Sequence, residues 1–242
     1  MVKKAYRNKG SKENVIISLS GVHGVGKSTI FSLLKKKYGN NNKFQFYPER
    51  YVDKPPFPFG SPDKQIAFRS ELHFLQQLIR RNQSITNYDN RYNGRILILD
   101  RTPICVLVYS KSLYLKEKDY QLILATYNSI EWREDYIIYL TAEPETIRKR
   151  ILKRGSLDPK RQEWNEDQQD YLLEILSYYK MFLLTPEKMK EKVFIVHTDG
   201  LTPQQVCDKV EKLIKKLTGY PPEKLKKQPP TQTRLGQFLE KF

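Results

Sequence analysis

The sequence predicts an α/β fold in which helices flank a five-stranded parallel sheet. Five short apolar runs recur along the chain, and segments with helical periodicity separate them. A glycine-rich segment follows the first run and leads directly into a helical pattern. This alternation is typical of repeated βαβ units, which build a parallel sheet.

The five runs predict strands, and the segments between them predict helices. Strands are expected at residues 15–20, 44–47, 95–99, 136–141 and 193–197. Helices are expected at 28–38, 62–82, 103–112, 119–130, 144–153, 166–183 and 203–217. Several of these helices begin with proline, which is favoured in the first turn.

One domain is expected over residues 1–218, followed by a linker and a short tail. Residues 219–231 contain four prolines and no periodic apolar pattern, which predicts an extended linker rich in proline and lysine. Residues 232–242 are partly apolar and too few to fold alone.

The composition excludes several classes of protein. No apolar run is long enough to span a bilayer, and the basic N-terminus leads into no apolar segment of a secretory signal, so a cytoplasmic protein is expected. Cys105 and Cys207 lie far apart, which argues against a disulfide framework or a structural zinc site. The net charge of +16 favours a polyanionic partner, although a lysine-rich solvated surface explains it equally well.

Residues 21–28 match the phosphate-binding pattern G-x-x-x-x-G-K-[ST] in full, between a predicted strand and a predicted helix. Backbone N–H groups of such a loop converge on phosphate oxygens, and glycine permits their close approach. We expect Lys27 to be a solvent-facing cation for the β and γ phosphates, and Ser28 to hold Mg²⁺. His23 is interpreted as a variable loop position near the acceptor. The predicted ATP-binding residues are Gly21, Val22, His23, Gly24, Val25, Gly26, Lys27, Ser28 and Thr29.

Charged pairs follow two of the predicted strands. Glu49-Arg50 comes after the second strand, and Asp100-Arg101 comes at the end of the third. Since ligands bind at the carboxyl edge of a parallel sheet, both pairs are expected to face the site. The alternative for each is a surface ion pair or a helix cap.

Three further segments carry a family resemblance. Ile-Leu-Ile-Leu-Asp-Arg at 96–101, Tyr-Leu-Thr-Ala-Glu-Pro-Glu at 139–145 and the tyrosines around 171–179 resemble the thymidylate kinases and the related deoxynucleoside kinases. The resemblance covers about residues 15–217. It implies a P-loop NTPase fold with a helical lid, in which Arg101 binds the acceptor phosphate and Asp100 helps to hold magnesium. It also implies that lid arginines, for which we favour Arg154 and Arg161, close over the transferred phosphoryl group.

The acceptor is less clearly indicated. Thymidylate kinases usually have an acid where His23 stands, and Arg-Glu-Pro where this chain has Pro-Glu-Arg at 48–50. In deoxynucleoside kinases a glutamate at this strand end is the general base for a hydroxyl acceptor. The many basic residues instead favour a monophosphate acceptor, held by Arg50 and Arg101. Phe74 and Gln77 are expected to contact the base, unless this helix is an ordinary amphipathic core helix.

These observations predict an ATP- and Mg²⁺-dependent kinase that converts a deoxynucleoside monophosphate, dTMP above others, to its diphosphate. Two alternatives remain open. One is a deoxynucleoside or polynucleotide 5′-kinase that uses Glu49 as a base, and the other is a non-catalytic P-loop accessory of the replication clamp. A homodimer is a further expectation.

The tail resembles the peptide by which proteins bind the sliding clamp PCNA. Gln232, Leu235, Phe238 and Leu239 match its pattern of a glutamine, an aliphatic residue and a terminal apolar pair. A single helical turn would place the three apolar side chains on one side. The alternative is a C-terminal helix that docks on its own domain.

Overall fold

The structure, a computed structural model, describes residues 13–49, 62–153 and 168–220 of the chain. Five strands in these ranges form one parallel sheet, as predicted, and their order is β2-β3-β1-β4-β5. They are β1 (Val15–Ser20), β2 (Phe44–Tyr47), β3 (Ile96–Asp100), β4 (Tyr136–Thr141) and β5 (Val193–His197). Strand β3 is shifted by a residue from its predicted bounds, so that Asp100 closes it.

The described helices are α1 (Lys27–Tyr38), α2 (Lys64–Asp89), α3 (Cys105–Ser112), α4 (Glu117–Asn128), α5 (Pro144–Lys153), α6 (Gln169–Tyr179) and α7 (Pro203–Thr218). Helix α2 extends well beyond its predicted end because Ile85 is buried against Ile16 and Leu97 of the sheet. Helix α6 ends earlier than predicted and continues as the π-helical turn Lys180–Leu184.

Two of the described helices, α2 and α7, have a side-chain cap at the N-terminus, whereas α1 has none. The Asp63 side chain accepts hydrogen bonds from the first backbone N–H groups of α2, and Thr202 with Gln205 forms a capping box at α7. Helix α1 begins after Gly26, with no side-chain cap and no acidic residue in its first turn. Its N-terminal N–H groups are therefore available to an anion.

The register of the sheet brings the predicted site residues to one edge. Strand β1 is buried along its whole length, as expected for a central strand covered by helices on both faces. Leu19 of β1 pairs with Asp100 of β3, and Tyr47 of β2 pairs with Leu99. The chain segments that leave these three strands therefore meet at the carboxyl edge of the sheet. Within the described ranges, no helix combines the length and the apolar character needed to cross a membrane.

Candidate active site

The loop between β1 and α1 has the geometry that its sequence pattern predicts. Gly21 has a φ of 138°, and a Cβ atom there would lie 2.2 Å from the Leu140 carbonyl oxygen. Gly26 has a φ of 108° at the start of α1. Both positions thus require glycine, one for space and both for backbone conformation. Of the remaining loop residues, Val22, Gly24 and Val25 are buried, His23 is half-buried, and Ser28 and Thr29 are exposed.

Lys27 is buried, which corrects the expectation that it faces solvent. Its side chain folds back over the loop, and Nζ donates a hydrogen bond to the Val22 carbonyl oxygen at 2.9 Å. Burial, together with the nearby Arg101 guanidinium, lowers the pKa of Lys27 to about 7, although Asp100 and Glu49 act in the opposite direction. A bound phosphate would place negative charge next to Lys27 and would favour its protonated, charged form.

Arg101 and Glu49 join the ends of β3 and β2. Arg101 Nε lies 2.7 Å from Glu49 Oε2, and Arg101 has the left-handed φ of 72°, which is uncommon for a non-glycine residue. Burial disfavours the arginine charge, but the Glu49 carboxylate outweighs it and raises the pKa of Arg101 well above its ordinary value. The structure thus brings together two residues that the sequence placed at separate strand ends.

Arg81 of α2 holds this irregular strand end in place. Its Nη1 donates to the Asp100 carbonyl oxygen at 2.6 Å, and its Nη2 donates to the Arg101 carbonyl oxygen at 2.8 Å. Arg81 itself is buried. The sequence shows Arg81 only as one of the many basic residues that favoured a monophosphate acceptor, but its two terminal nitrogens bind the backbone instead. Only the planar fork of an arginine satisfies both carbonyls at once.

Asp100 and Ser28 offer oxygen ligands beside the phosphate loop. Asp100 is buried, and its Oδ1 atom has no hydrogen-bond partner among the residues that the structure describes. Burial raises the pKa of Asp100, and Arg101 and a hydrogen bond from Ser28 lower it in part. The part of the chain that the structure describes contains no cluster of three or more His, Cys, Asp or Glu residues that could hold a metal on its own. Mg²⁺ bound with a nucleotide needs only one or two protein ligands, and this pair fits that requirement.

His23 faces aromatic side chains from two helices. Its Nδ1 lies 3.5 Å from the Tyr109 hydroxyl of α3, and its ring lies 6.0 Å from that of Tyr171 on α6. The loop position that the sequence left as variable therefore connects the phosphate loop to α3 and α6.

Helix α2 carries a residue that the sequence did not single out. Glu71 is 1% exposed, and within the described part of the chain its Oε1 atom has no hydrogen-bond partner. Phe74 and Gln77, which were predicted to contact the base, are half-buried on the same helix. One sequence signal could have identified Glu71. Residues four apart share a helix face, so Glu71 is a charged residue within the apolar stripe that Ala67 and Leu75 form. The contacts of Phe74 and Gln77 with an acceptor stay predictions.

Several predicted residues lie outside the described ranges. These are Arg50, the lid arginines Arg154 and Arg161, and the clamp-binding residues Gln232, Leu235, Phe238 and Leu239. Arg150, at the end of α5, is described, and it is structural. Its two terminal nitrogens donate to the Thr198 hydroxyl and carbonyl oxygens at 2.8 and 2.7 Å, tying α5 to the segment after β5.

Comparison with known proteins decides the family. The family model described as deoxynucleoside kinase matches residues 17–218, most of the chain. The chain belongs to the deoxynucleoside kinase family. This kinase is 28% identical over 183 residues to a deoxyguanosine kinase of Lactobacillus johnsonii, a match that covers 68% of this chain and 75% of that relative. It is 24% identical over 164 residues to a deoxyadenosine/deoxycytidine kinase of Bacillus subtilis, with 64% and 73% covered.

Solved structures share the fold of this deoxynucleoside kinase family member. Deoxyadenosine kinase from M. mycoides with bound dATP matches with a TM-score of 0.64 at 21% identity, covering 83% of this chain and 99% of that one. Thymidylate kinase from Candida albicans matches with a TM-score of 0.60 at 19% identity, covering 86% and 95%. The two scores are nearly equal, so the fold does not distinguish these activities.

The comparisons confirm the predicted resemblance only in part. The chain is a P-loop kinase, and its Gly21–Ser28 loop is an ATP-binding element of that class. Its family is that of the deoxynucleoside kinases, and thymidylate kinase membership has no support beyond the shared fold. The expected conversion of dTMP to dTDP is likewise unsupported.

Proposed function

We propose that this kinase transfers the γ-phosphoryl group of ATP to the 5′-hydroxyl of a deoxynucleoside, with Glu49 as the general base. The observation that carries the proposal is the Glu49 carboxylate at the end of β2, paired with Arg101 in the crevice beside the phosphate loop. The deoxynucleoside kinase family and the names of both curated relatives support the same acceptor class. This proposal takes up the alternative expectation in place of dTMP.

The charges at the strand ends favour a neutral acceptor. A nucleoside monophosphate would bring an anionic phosphate to a crevice that already holds the carboxyl groups of Glu49 and Asp100. Arg101 is already paired with Glu49, and Arg81 is committed to backbone carbonyls. A hydroxyl acceptor needs no additional cation here, but it does need a group that removes its proton.

The reaction follows from the positions of these groups. Glu49 accepts the proton of the acceptor hydroxyl as its oxygen bonds to the γ-phosphorus of ATP. The bond between that phosphorus and the oxygen bridging to the β phosphate breaks, ADP leaves, and a nucleoside 5′-monophosphate remains. Arg101 orients Glu49, while Lys27 and the N-terminal N–H groups of α1 stabilise the negative charge on the phosphoryl oxygens.

Mg²⁺ is included in the proposal because Ser28 and Asp100 fit it. The Ser28 hydroxyl and the unpartnered Asp100 Oδ1 atom would hold the ion directly or through water. When bound, Mg²⁺ neutralises phosphate charge and fixes the triphosphate geometry.

The decisive experiment compares acceptors and bases together. Purified protein is assayed with ATP against the four deoxynucleosides and dTMP, with products separated by chromatography. We expect 5′-monophosphates from at least one deoxynucleoside and no dTDP. Glu49→Gln should lower kcat at least about 10²-fold with ATP affinity unchanged, while Glu131→Gln, whose side chain is 91% exposed, should match wild type. Turnover of dTMP alone would overturn the proposal.

We also propose that the tail binds a sliding clamp through Gln232, Leu235, Phe238 and Leu239. The support is the sequence pattern and its place beyond residue 218, where the family match ends. A peptide of residues 231–242 is titrated calorimetrically into a clamp, with Phe238→Ala as control. Micromolar binding that the control loses is expected, and heat that is identical for both peptides contradicts the proposal.

A further inference from the structure

Helices α1 and α7 expose charge of almost one sign. Their acidic residues are Asp208 and Glu211. Glu211 is buried and pairs with Lys37 at 2.7 Å, while Asp208 accepts a hydrogen bond from Gln204 at 2.9 Å. The exposed lysines of the two helices form a surface that we call the basic face: Lys35, Lys36, Lys209, Lys212, Lys215 and Lys216.

The topology of the sheet places α1 and α7 together. Helix α1 leads from β1 past β3 to β2, whereas the later connections between strands all run in the opposite direction along the sheet. Since such crossovers are right-handed, α1 lies on the opposite face of the sheet from α2 to α6. Helix α7 packs against α1, and the Lys37–Glu211 ion pair joins them. The exposed lysines of both helices therefore belong to one surface.

The basic face is separate from the nucleotide site. Helix α1 begins at the phosphate loop with Lys27 and runs back towards the amino ends of the strands. Lys36 follows Lys27 by nine residues, which corresponds to about 14 Å of helix. Helix α7 also runs back from the carboxyl edge, because it follows β5, and its last turn contains Lys215 and Lys216. A nucleotide bound at the phosphate loop would leave these lysines accessible to another anion.

The lysines of α7 repel one another in the free protein. Lys209 and Lys212 are three residues apart, and Lys212 and Lys216 are four apart, so each pair shares a side of the helix. Like charges at these spacings destabilise a helix, although Asp208, four residues before Lys212, offsets part of the repulsion. The helix dipole favours Lys215 and Lys216 in the last turn, but it does not explain the lysines in the middle of α7. A bound polyanion would relieve this repulsion.

The uncharged part of this surface distinguishes among anionic partners. None of the exposed large apolar side chains in the described part of the chain belongs to α1 or α7. Protein interfaces depend on aromatic and apolar anchors, and single-stranded nucleic acids stack their bases on aromatic side chains. The two helices offer neither. They offer lysines together with the exposed Gln204 and Gln205, which are residue types that bind phosphate oxygens.

We propose that the basic face binds the phosphate backbone of double-stranded DNA without reading its sequence. A DNA duplex carries one negative charge per about 1.7 Å of its axis, so it presents phosphates to several lysines at once. Lys209 and Lys216 are about 10 Å apart along α7. The major groove of DNA admits a helix, whereas that of duplex RNA is deep and narrow. Helix α7 can therefore lie along the groove with its lysines towards the phosphates.

The affinity of the full chain for a short fluorescent DNA duplex, measured by anisotropy at several salt concentrations, tests this proposal. Phosphate contacts release counterions, so the logarithm of the binding constant falls with the logarithm of the salt concentration by about 0.9 per contact. Wild type should bind with a Kd of about micromolar order at low salt. The triple variant Lys209→Glu, Lys212→Glu, Lys216→Glu should bind at least about tenfold more weakly, with a slope smaller by about three.

The matched control is the triple variant Lys116→Glu, Lys118→Glu, Lys180→Glu. These lysines are exposed, lie in connections on the opposite face of the sheet, and change the net charge by the same amount. The affinity of the control for the duplex should stay within about threefold of wild type. Both triple variants should keep wild-type affinity for ATP and melt within a few degrees of wild type.

Competition experiments decide the partner. Saturating ATP should leave the affinity for the duplex unchanged, because the two sites are separate. Single-stranded DNA, duplex RNA and polyglutamate should each compete more weakly than duplex DNA. Displacement of the duplex by ATP, equal losses in the two triple variants, or no binding by wild type at low salt overturns the inference. A competitor that matches duplex DNA overturns it as well, and polyglutamate in that role would indicate an acidic protein as the partner.

Discussion

Arg101 Nε lies 2.7 Å from Glu49 Oε2, so the proposed general base and the cation at the end of β3 form a single unit. The pairing crosses two adjacent parallel strands and fixes the direction of a carboxylate that would otherwise have several rotamers. A general base must lie within hydrogen-bonding reach of the proton that it removes, so its orientation is part of its function. The left-handed φ of Arg101 is an unfavourable backbone conformation that accompanies this pairing.

A double-mutant cycle tests whether Glu49 and Arg101 act together. Glu49→Gln and Arg101→Met should each lower kcat/KM for the deoxynucleoside at least about 10²-fold. Because each residue needs the other, the double variant should lose little more than the worse single variant. Steady-state kinetics of all four proteins measure the coupling. Losses that simply multiply would show that the two residues act independently.

Arg81→Lys should lower kcat although the Arg81 side chain binds the backbone and not the substrate. A lysine cannot donate to the carbonyl oxygens of Asp100 and Arg101 at the same time, so the backbone that presents Arg101 should relax. We expect kcat to fall about tenfold or more and the melting temperature to fall by several degrees. Arg80→Lys, at the exposed neighbouring position, is the matched control. Equal effects of the two substitutions would exclude this positioning role.

Lys27 should take up a proton when ATP binds. Burial and the nearby Arg101 lower the pKa of Lys27 to about 7, so a large fraction of the free enzyme has a neutral lysine at pH 8. Bound phosphates favour the charged form and raise the pKa again. Calorimetric titrations at pH 8 in buffers of different ionisation enthalpy should show proton uptake that shrinks towards pH 6.

Lys27→Arg provides the control for this proton uptake, because an arginine stays charged at every accessible pH. The variant should bind ATP with less proton uptake at pH 8 than wild type. The same number of protons in both proteins would mean that Lys27 is already charged before ATP arrives.

Glu134 should make stability depend on pH. Burial raises the pKa of Glu134 to about 7, although the nearby Ser18 hydroxyl and a hydrogen bond of 2.9 Å from Thr102 lower it in part. The folded protein therefore binds the proton of the Glu134 carboxyl group more tightly than the unfolded chain does. The contribution of this bound proton to the free energy of unfolding is complete below pH about 4 and is lost as the pH rises through 7. Glu134→Gln should melt like wild type at pH 5 and a few degrees higher at pH 8.

Glu131→Gln is the control for this comparison, since the Glu131 side chain is 91% exposed. Its melting temperature should follow that of wild type at both pH values. A constant difference between Glu134→Gln and wild type across this range would contradict the assigned pKa.

The sequence predicts those features of the site that depend on local pattern. The spacing of Gly21, Gly26 and Lys27 identifies the phosphate loop because its chemistry requires these residues next to one another. Asp100 and Glu49 could be placed at the carboxyl edge because each follows a recognisable apolar strand. Their predicted strand ends agree with the structure to within a residue.

The features that the sequence missed depend on contacts between distant segments. Lys27 is buried next to Arg101 and Asp100, which lie far from it in the sequence, so solvent exposure was the wrong expectation. Arg81 could not be told apart from Arg80 by residue type, since only the packing of α2 on β3 turns one towards the strand end. Of the basic residues that the structure describes, Arg81 and Arg150 bind groups of the protein itself and not an acceptor phosphate. Glu71 was overlooked because a helical pattern shows which face is buried but not which polar group lacks a partner.

The boundary of the folded domain gives the last prediction. The Tyr220 ring packs edge-on against Phe44, with centroids 5.8 Å apart, and its hydroxyl accepts a hydrogen bond from Asn41 Nδ2 at 3.2 Å. A chain that ends after Tyr220 should therefore keep wild-type kcat/KM and melting temperature. A chain that ends after Thr218 loses this aromatic contact and should melt about 3 °C lower or more. Differential scanning calorimetry and the kinase assay compare both with the full chain, and Tyr220→Ala in the full chain should reproduce the loss. If both shortened chains melt alike, Tyr220 does not anchor the end of α7, and if the longer one loses activity, residues beyond 220 take part in catalysis.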